Sequence, residues 1–143
     1  MSAAAAVEPG TFDADDFEDH VFEGETLFEI ALPMTDICLA VLAEDNGPVA
    51  KEVFSELLMR IVSSSGNEPT PSLQGRDLVA ECHEVAWRGA WLLHSEILTQ
   101  KSGNVSGNCF LTLQYMEEDA ERLRALQRAA SRSIGNLPLW VGN

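Results

Sequence analysis

Basic residues are scarce. The 143-residue chain holds nine, two lysines and seven arginines, against 23 acids, for a net charge of −14. A protein that grips nucleic acid by displacing counterions needs a basic face, so no direct nucleic-acid binding is expected. Long apolar runs are also missing. The longest covers residues 37–43, seven positions, where crossing a bilayer takes about 20, so no membrane contact is expected. Cysteine is limited to Cys38, Cys82 and Cys109, an odd count in apolar settings, which reads as buried thiols in a reducing compartment. The first ten residues have neither the basic start nor the apolar core of a secretory signal, and the expected location is cytoplasmic.

Site chemistry leaves no local trace. His83 and His94 share a helical face but lie eleven residues apart, about 16 Å along a helix axis, which no single metal ion bridges. The CxxC and HxxxH spacings of zinc sites are absent, as is a GxSxG nucleophile turn. Cys82 sits beside Glu81 and near Glu84, acids that favour the thiol over the reactive thiolate. No catalytic, cofactor-binding or metal-ligating residue is assigned, and a cofactor is not expected.

What remains is an architecture. With 45% apolar and 22% charged residues, the length suits one globular domain. Residues 1–20 are alanine-rich, broken by Pro9-Gly10, then densely acidic. They carry too little apolar surface to offset ordering and read as a disordered arm ahead of a single helical domain over 21–143. A short extended piece fits just before Gly24. The spacing then predicts helices near 27–44, 48–62, 76–100 and 117–134. The first is opened by a Thr26-x-x-Glu29 capping box and bent or broken at Pro33. The second has Pro48 in its first turn and Val49, Val53, Phe54, Leu57, Leu58 and Ile61 on one face. The third is expected to be the central helix, with Leu78, Cys82, Val85, Leu92 and Leu93 buried. Residues 63–75, rich in Ser, Gly and Pro, read as a loop. Cys109, Leu111, Leu113 and Tyr115 alternate with Phe110, Thr112 and Gln114, a period of two that favours a short strand over the competing helix. The fold class expected is mainly α, a bundle of three to four helices with at most a small strand element.

The charge is unevenly placed. Residues 1–62 hold 14 acids and 2 bases, whereas the remainder holds 9 acids and 7 bases. Residues 8–29 hold nine acids with no lysine or arginine, and Phe12, Phe17, Phe22 and Phe28 recur through them every five or six positions. An acidic segment with interleaved aromatics can dock on a basic protein surface, charge steering the encounter and phenylalanines filling pockets. Phe12, Asp13, Asp15, Asp16, Phe17, Glu18, Asp19, Phe22, Glu23 and Glu25 are the partner-binding candidates. The plainer alternative is a solubilising tail. Trp87 and Trp91, one helical turn apart, read as core filler or as an interface anchor. Arg124, Arg128 and Arg132 form an i, i+4 row that is either a solvated face or a dock for the acidic arm within one chain or between two.

These features point to a non-enzymatic acidic module that regulates or inhibits a partner by occupying a basic, even nucleic-acid-binding, surface. Two lysines against seven arginines suit a high-GC bacterial genome or its phage. A small dimeric secretion chaperone or adaptor, and an enzyme without a readable motif, are the alternatives.

Overall fold

A computed structural model describes residues 22–23, 26–27, 29–44, 46–67, 73–99 and 102–139. The arm candidates Phe12, Asp13, Asp15, Asp16, Phe17, Glu18 and Asp19, with Glu25, lie outside them. Only the backbone is described at Phe22 and Glu23.

The domain is mainly helical. Its elements are β1 (Phe22–Glu23), β2 (Thr26–Leu27), α1 (Ala31–Ala43), α2 (Pro48–Val62), β3 (Gly66–Asn67), α3 (Leu78–Arg88), α4 (Ala90–Thr99), α5 (Gly103–Met116), α6 (Ala120–Ala129) and α7 (Ser131–Ile134). Among the described residues there are thus six helices of ten or more residues and a one-turn seventh, more than the three to four expected.

The first helix begins later than its capping box suggests. Thr26 and Leu27 pair antiparallel with Phe22–Glu23 and parallel with Gly66–Asn67, and Leu27 is fully buried. That pairing removes Thr26 from any capping role. Because α1 starts at Ala31, Pro33 falls in the first turn, where its missing N–H has no carbonyl to meet. It neither bends nor breaks the helix. Within the helix, the Thr35 hydroxyl donates to the Ala31 carbonyl at 2.8 Å from a buried position. α2 matches its expected bounds, with Pro48 at the start after Gly47 at φ 81°. β3 lies within the segment read as a loop, where Leu73 is also buried.

The expected long helix over 76–100 is two helices. Asp77 caps α3 by accepting from the Ala80 N–H at 3.0 Å, and Gly89 alone separates α3 from α4. A Cβ at Gly89 would lie 2.7 Å from Leu39 Cδ2, so the Leu39 side chain of α1 packs closely against the glycine at the break. Leu78, Cys82 and Leu93 are buried as expected, but Val85 and Leu92 are half-exposed.

The core is organised instead by α5, which packs against α2, α4 and α7. Cys109, Phe110, Thr112, Leu113 and Gln114 are all buried. The strand expected over 109–115 is therefore a helix, and its alternation was misleading because both sets of positions meet neighbours. Ser102 caps it by accepting from the Val105 N–H. The last helix breaks at Ala130, with Asp119 capping α6. Leu137 and Leu139 pack back against the core, held where Gln127 donates to the Leu137 carbonyl at 2.7 Å and Gln114 to that of Pro138 at 2.9 Å.

Candidate interaction surfaces

Two surface features stand out, and they lie on different helices. The first is a groove of about 410 Å³ between α2 and α5, lined by Glu52, Glu56, Asn104, Asn108, Gly107 and Leu137 among others. Pro48 sets the phase of α2 so that Phe54, Leu57, Leu58 and Ile61 enter the core, which turns Glu52 and Glu56 outward along one line. On α5, glycines and asparagines alternate at helical spacing and keep the opposite wall low. Asn104 donates to Glu52 Oε1 at 2.9 Å, and Asn108 donates to Ser55 Oγ at 3.1 Å. Glu52 also faces the first turn of α5, where unpaired N–H groups favour an anion. Glu56 is exposed and makes no ion pair among the described residues.

The nearby cation is already engaged. Lys51 donates to Glu96 on α4 at 2.6 Å, with both side chains mostly buried. The groove is therefore lined by two carboxylates and no basic residue, a setting that favours a cationic side chain over an anionic one. Sequence reasoning missed it. Gly103, Asn104, Gly107 and Asn108 look like turn residues, and the cap at Ser102 was the signal that would have placed them on a helix.

The second feature is an apolar line on α3 and α4. Trp87 is 43% exposed, Trp91 67% and Leu98 50%. The core-filler reading of the two tryptophans is thus corrected: the inner sides of these helices are occupied by Cys82, Ala86, Leu93 and Ile97. Ser95 is exposed between Trp91 and Leu98. The charges beside Trp87 cancel, since Arg88 donates to Glu84 at 3.1 Å.

The arginine row does not form one face of one helix. Arg124 pairs with Glu121, and Arg132 belongs to α7, beyond the break at Ala130. Arg128 is exposed and makes no ion pair among the described residues. At the start of α3, Arg76 grips Glu81 through Nε at 3.0 Å and Nη2 at 2.8 Å. That hydrogen bonding holds the Glu81 carboxyl below the usual carboxylate range.

The reactive side chains are occupied. Burial pushes the thiols of Cys38, Cys82 and Cys109 up, away from ionisation. His83 Nε2 lies 2.6 Å from the Val62 carbonyl, and His94 Nδ1 lies 2.8 Å from that of Ala90. Among the described residues no three His, Cys, Asp or Glu side chains are grouped to hold a metal, and no helix is long and apolar enough to cross a membrane. Compared with family models, curated proteins and solved structures, the chain matches none.

Proposed function

We propose that the protein is a non-enzymatic acidic binding module that regulates or inhibits another protein by occupying its basic surface. The observation that carries this reading is the α2–α5 groove, where the half-buried Glu52 and the exposed Glu56 stand with no basic residue in the lining. Its two carboxylates belong to residues 1–62, which hold 14 of the 23 acids. In this reading the groove seats one lysine or arginine of the partner. The acids of residues 8–29 supply the longer-range attraction, with Phe12, Phe17 and Phe22 adding apolar contacts. Such a surface can compete with nucleic acid for a cationic groove, as a bacterial or phage inhibitor would.

The test starts with the tagged full chain as bait in a lysate of its host, with bound proteins identified by mass spectrometry. Affinity for the recovered partner is then measured by calorimetry at several salt concentrations. Glu56→Gln should weaken binding and lower its salt dependence. An affinity that ignores both Glu56→Gln and salt would overturn the reading.

The exposed Trp87, Trp91 and Leu98 line favours a second reading, a small dimeric chaperone or adaptor, because a soluble helix rarely leaves two tryptophans one turn apart uncovered.

A further inference from the structure

We infer that the exposed face of α4 pairs two copies of this chain about a two-fold axis, with the two α4 helices antiparallel. Trp91, Ser95 and Leu98 stand at i, i+4 and i+7, so they project from one side of the helix, and all three are exposed. Trp87, also exposed, stands on α3 just before the break at Gly89. On α4 the line from Trp91 to Leu98 is about 10 Å long at 1.5 Å per residue.

The order of sizes along this line is self-complementary. In an antiparallel two-fold pairing, positions equally distant from the axis face each other. An axis at the level of residue 93 sets each Trp91 opposite the other copy's Ser95, a large side chain against a small one. A parallel pairing would instead oppose Trp91 to Trp91 and leave a void between the serines. The antiparallel geometry therefore fills the interface.

Charge and area support a second copy as the occupant. The chain carries −14, yet this face carries no uncompensated charge. Glu84 is paired with Arg88, Glu96 is turned inward to Lys51, and Trp91, Ser95, Leu98 and Thr99 are uncharged. It offers nothing to a basic partner, and two acidic molecules can approach there without unpaired like charges facing each other. A tryptophan can bury up to roughly 250 Å², so the exposed fractions of 43% and 67% leave roughly 270 Å² from this pair alone. That is a third of the roughly 800 Å² per partner of a standard interface, with Trp91 near its centre, where binding energy collects. Leu98, Leu92, Thr99 and the Glu84–Arg88 pair supply the rim.

The inference is independent of the α2–α5 groove, and its test uses a different readout. The full chain is examined by sedimentation equilibrium at tens of micromolar, where a mass twice the 15.6 kDa of one chain is expected. Raising salt should tighten the dimer by screening the repulsion between copies, opposite to its effect on a basic partner. Trp91→Ala and Ser95→Trp should each weaken association about tenfold or more. Both positions are exposed, so the circular dichroism of each variant should match the parent. The double change Trp91→Ala/Ser95→Trp exchanges large and small positions and should restore the dimer. A monomeric full chain would overturn the inference, as would a dimer indifferent to Trp91→Ala or a double variant that stays monomeric. A chain that dimerises only after removal of residues 1–20 would also overturn it, by identifying the arm as the occupant.

Discussion

Lys51 Nζ lies 2.6 Å from Glu96 Oε1 and ties α2 to α4, two helices that both pack on α5. The side chains are 18% and 13% exposed, so neither charge is well solvated if its partner is removed. Glu96→Ala or Lys51→Ala should each cost about 2–4 kcal/mol, the low side of the range for a broken buried pair because some water access remains. Lys51→Met/Glu96→Leu should recover most of that loss. Urea unfolding of the three variants measures the difference.

Gly89 and Leu39 form a second coupled pair. Gly89→Ala should destabilise by about 1 kcal/mol, the low end for overpacking because only the Leu39 side-chain tip must shift, despite alanine's higher helix propensity. Leu39→Ala makes room for the new methyl group. In a double-mutant cycle the combined loss should fall short of the sum of the single losses. Strict additivity would mean that Leu39 does not press on a side chain at position 89.

Core truncation should rank helices by their role. Leu113→Ala on α5 and Leu57→Ala on α2 remove fully buried side chains, and each should cost about 2–5 kcal/mol. Val85→Ala on α3, at a half-exposed position, should cost less than either. Melting temperatures give the order directly.

Stability should fall in alkali. The thiols of Cys38, Cys82 and Cys109 are raised by burial in the folded chain, while unfolded thiols ionise near pH 8.5. Below that pH both states hold the protons and nothing changes. Above it the unfolded state loses protons that the folded state keeps, so the stabilisation drains away as pH rises toward the folded values. Each thiol adds a slope of up to about 1.4 kcal/mol per pH unit. Cys109→Ala should reduce the slope between pH 9 and pH 10, roughly half a unit to one and a half units above the unfolded pKa.

Binding to a basic partner should separate into two parts. Changing Asp13, Asp15, Asp16 and Asp19 to asparagine and Glu18 to glutamine should lower affinity and flatten its salt dependence, because screening shortens the reach of charge to about 8 Å at physiological ionic strength. Phe17→Ala with Phe22→Ala should lower affinity and leave the salt slope in place. Unchanged affinity in both sets would make residues 1–20 a solubilising tail and leave the groove to account for binding.

The amphipathic α2 was legible in the sequence because one side of it faces solvent, and the 3.6-residue period survives wherever that is true. It failed where helices are covered on several sides. On α5, Cys109, Phe110, Thr112 and Leu113 are all buried, so apolar spacing carries no single face, and Thr112 satisfies its hydroxyl on the Asn108 carbonyl at 2.8 Å. The break at Gly89 lies against Leu39, 50 positions away, and no local pattern announces it. The same holds for Thr26, whose pairing with Gly66 outcompetes an otherwise sound helix cap. Of the interaction surfaces, Trp87 and Trp91 could be named from spacing but not assigned to solvent. The groove was hidden because it joins residues from two helices.

The three cysteines have a consequence for how this protein's motions can be followed. Cys38, Cys82 and Cys109 stand on α1, α3 and α5, each fully enclosed. A thiol reagent can reach each of them only when its own helix opens. The rate at which each sulfur is labelled under native conditions therefore clocks a separate opening event. The unaltered chain carries three internal timers. If α5 opens only when the whole domain unfolds, Cys109 will be labelled at the global rate, while an earlier time at Cys38 or Cys82 would mark the helices that loosen first.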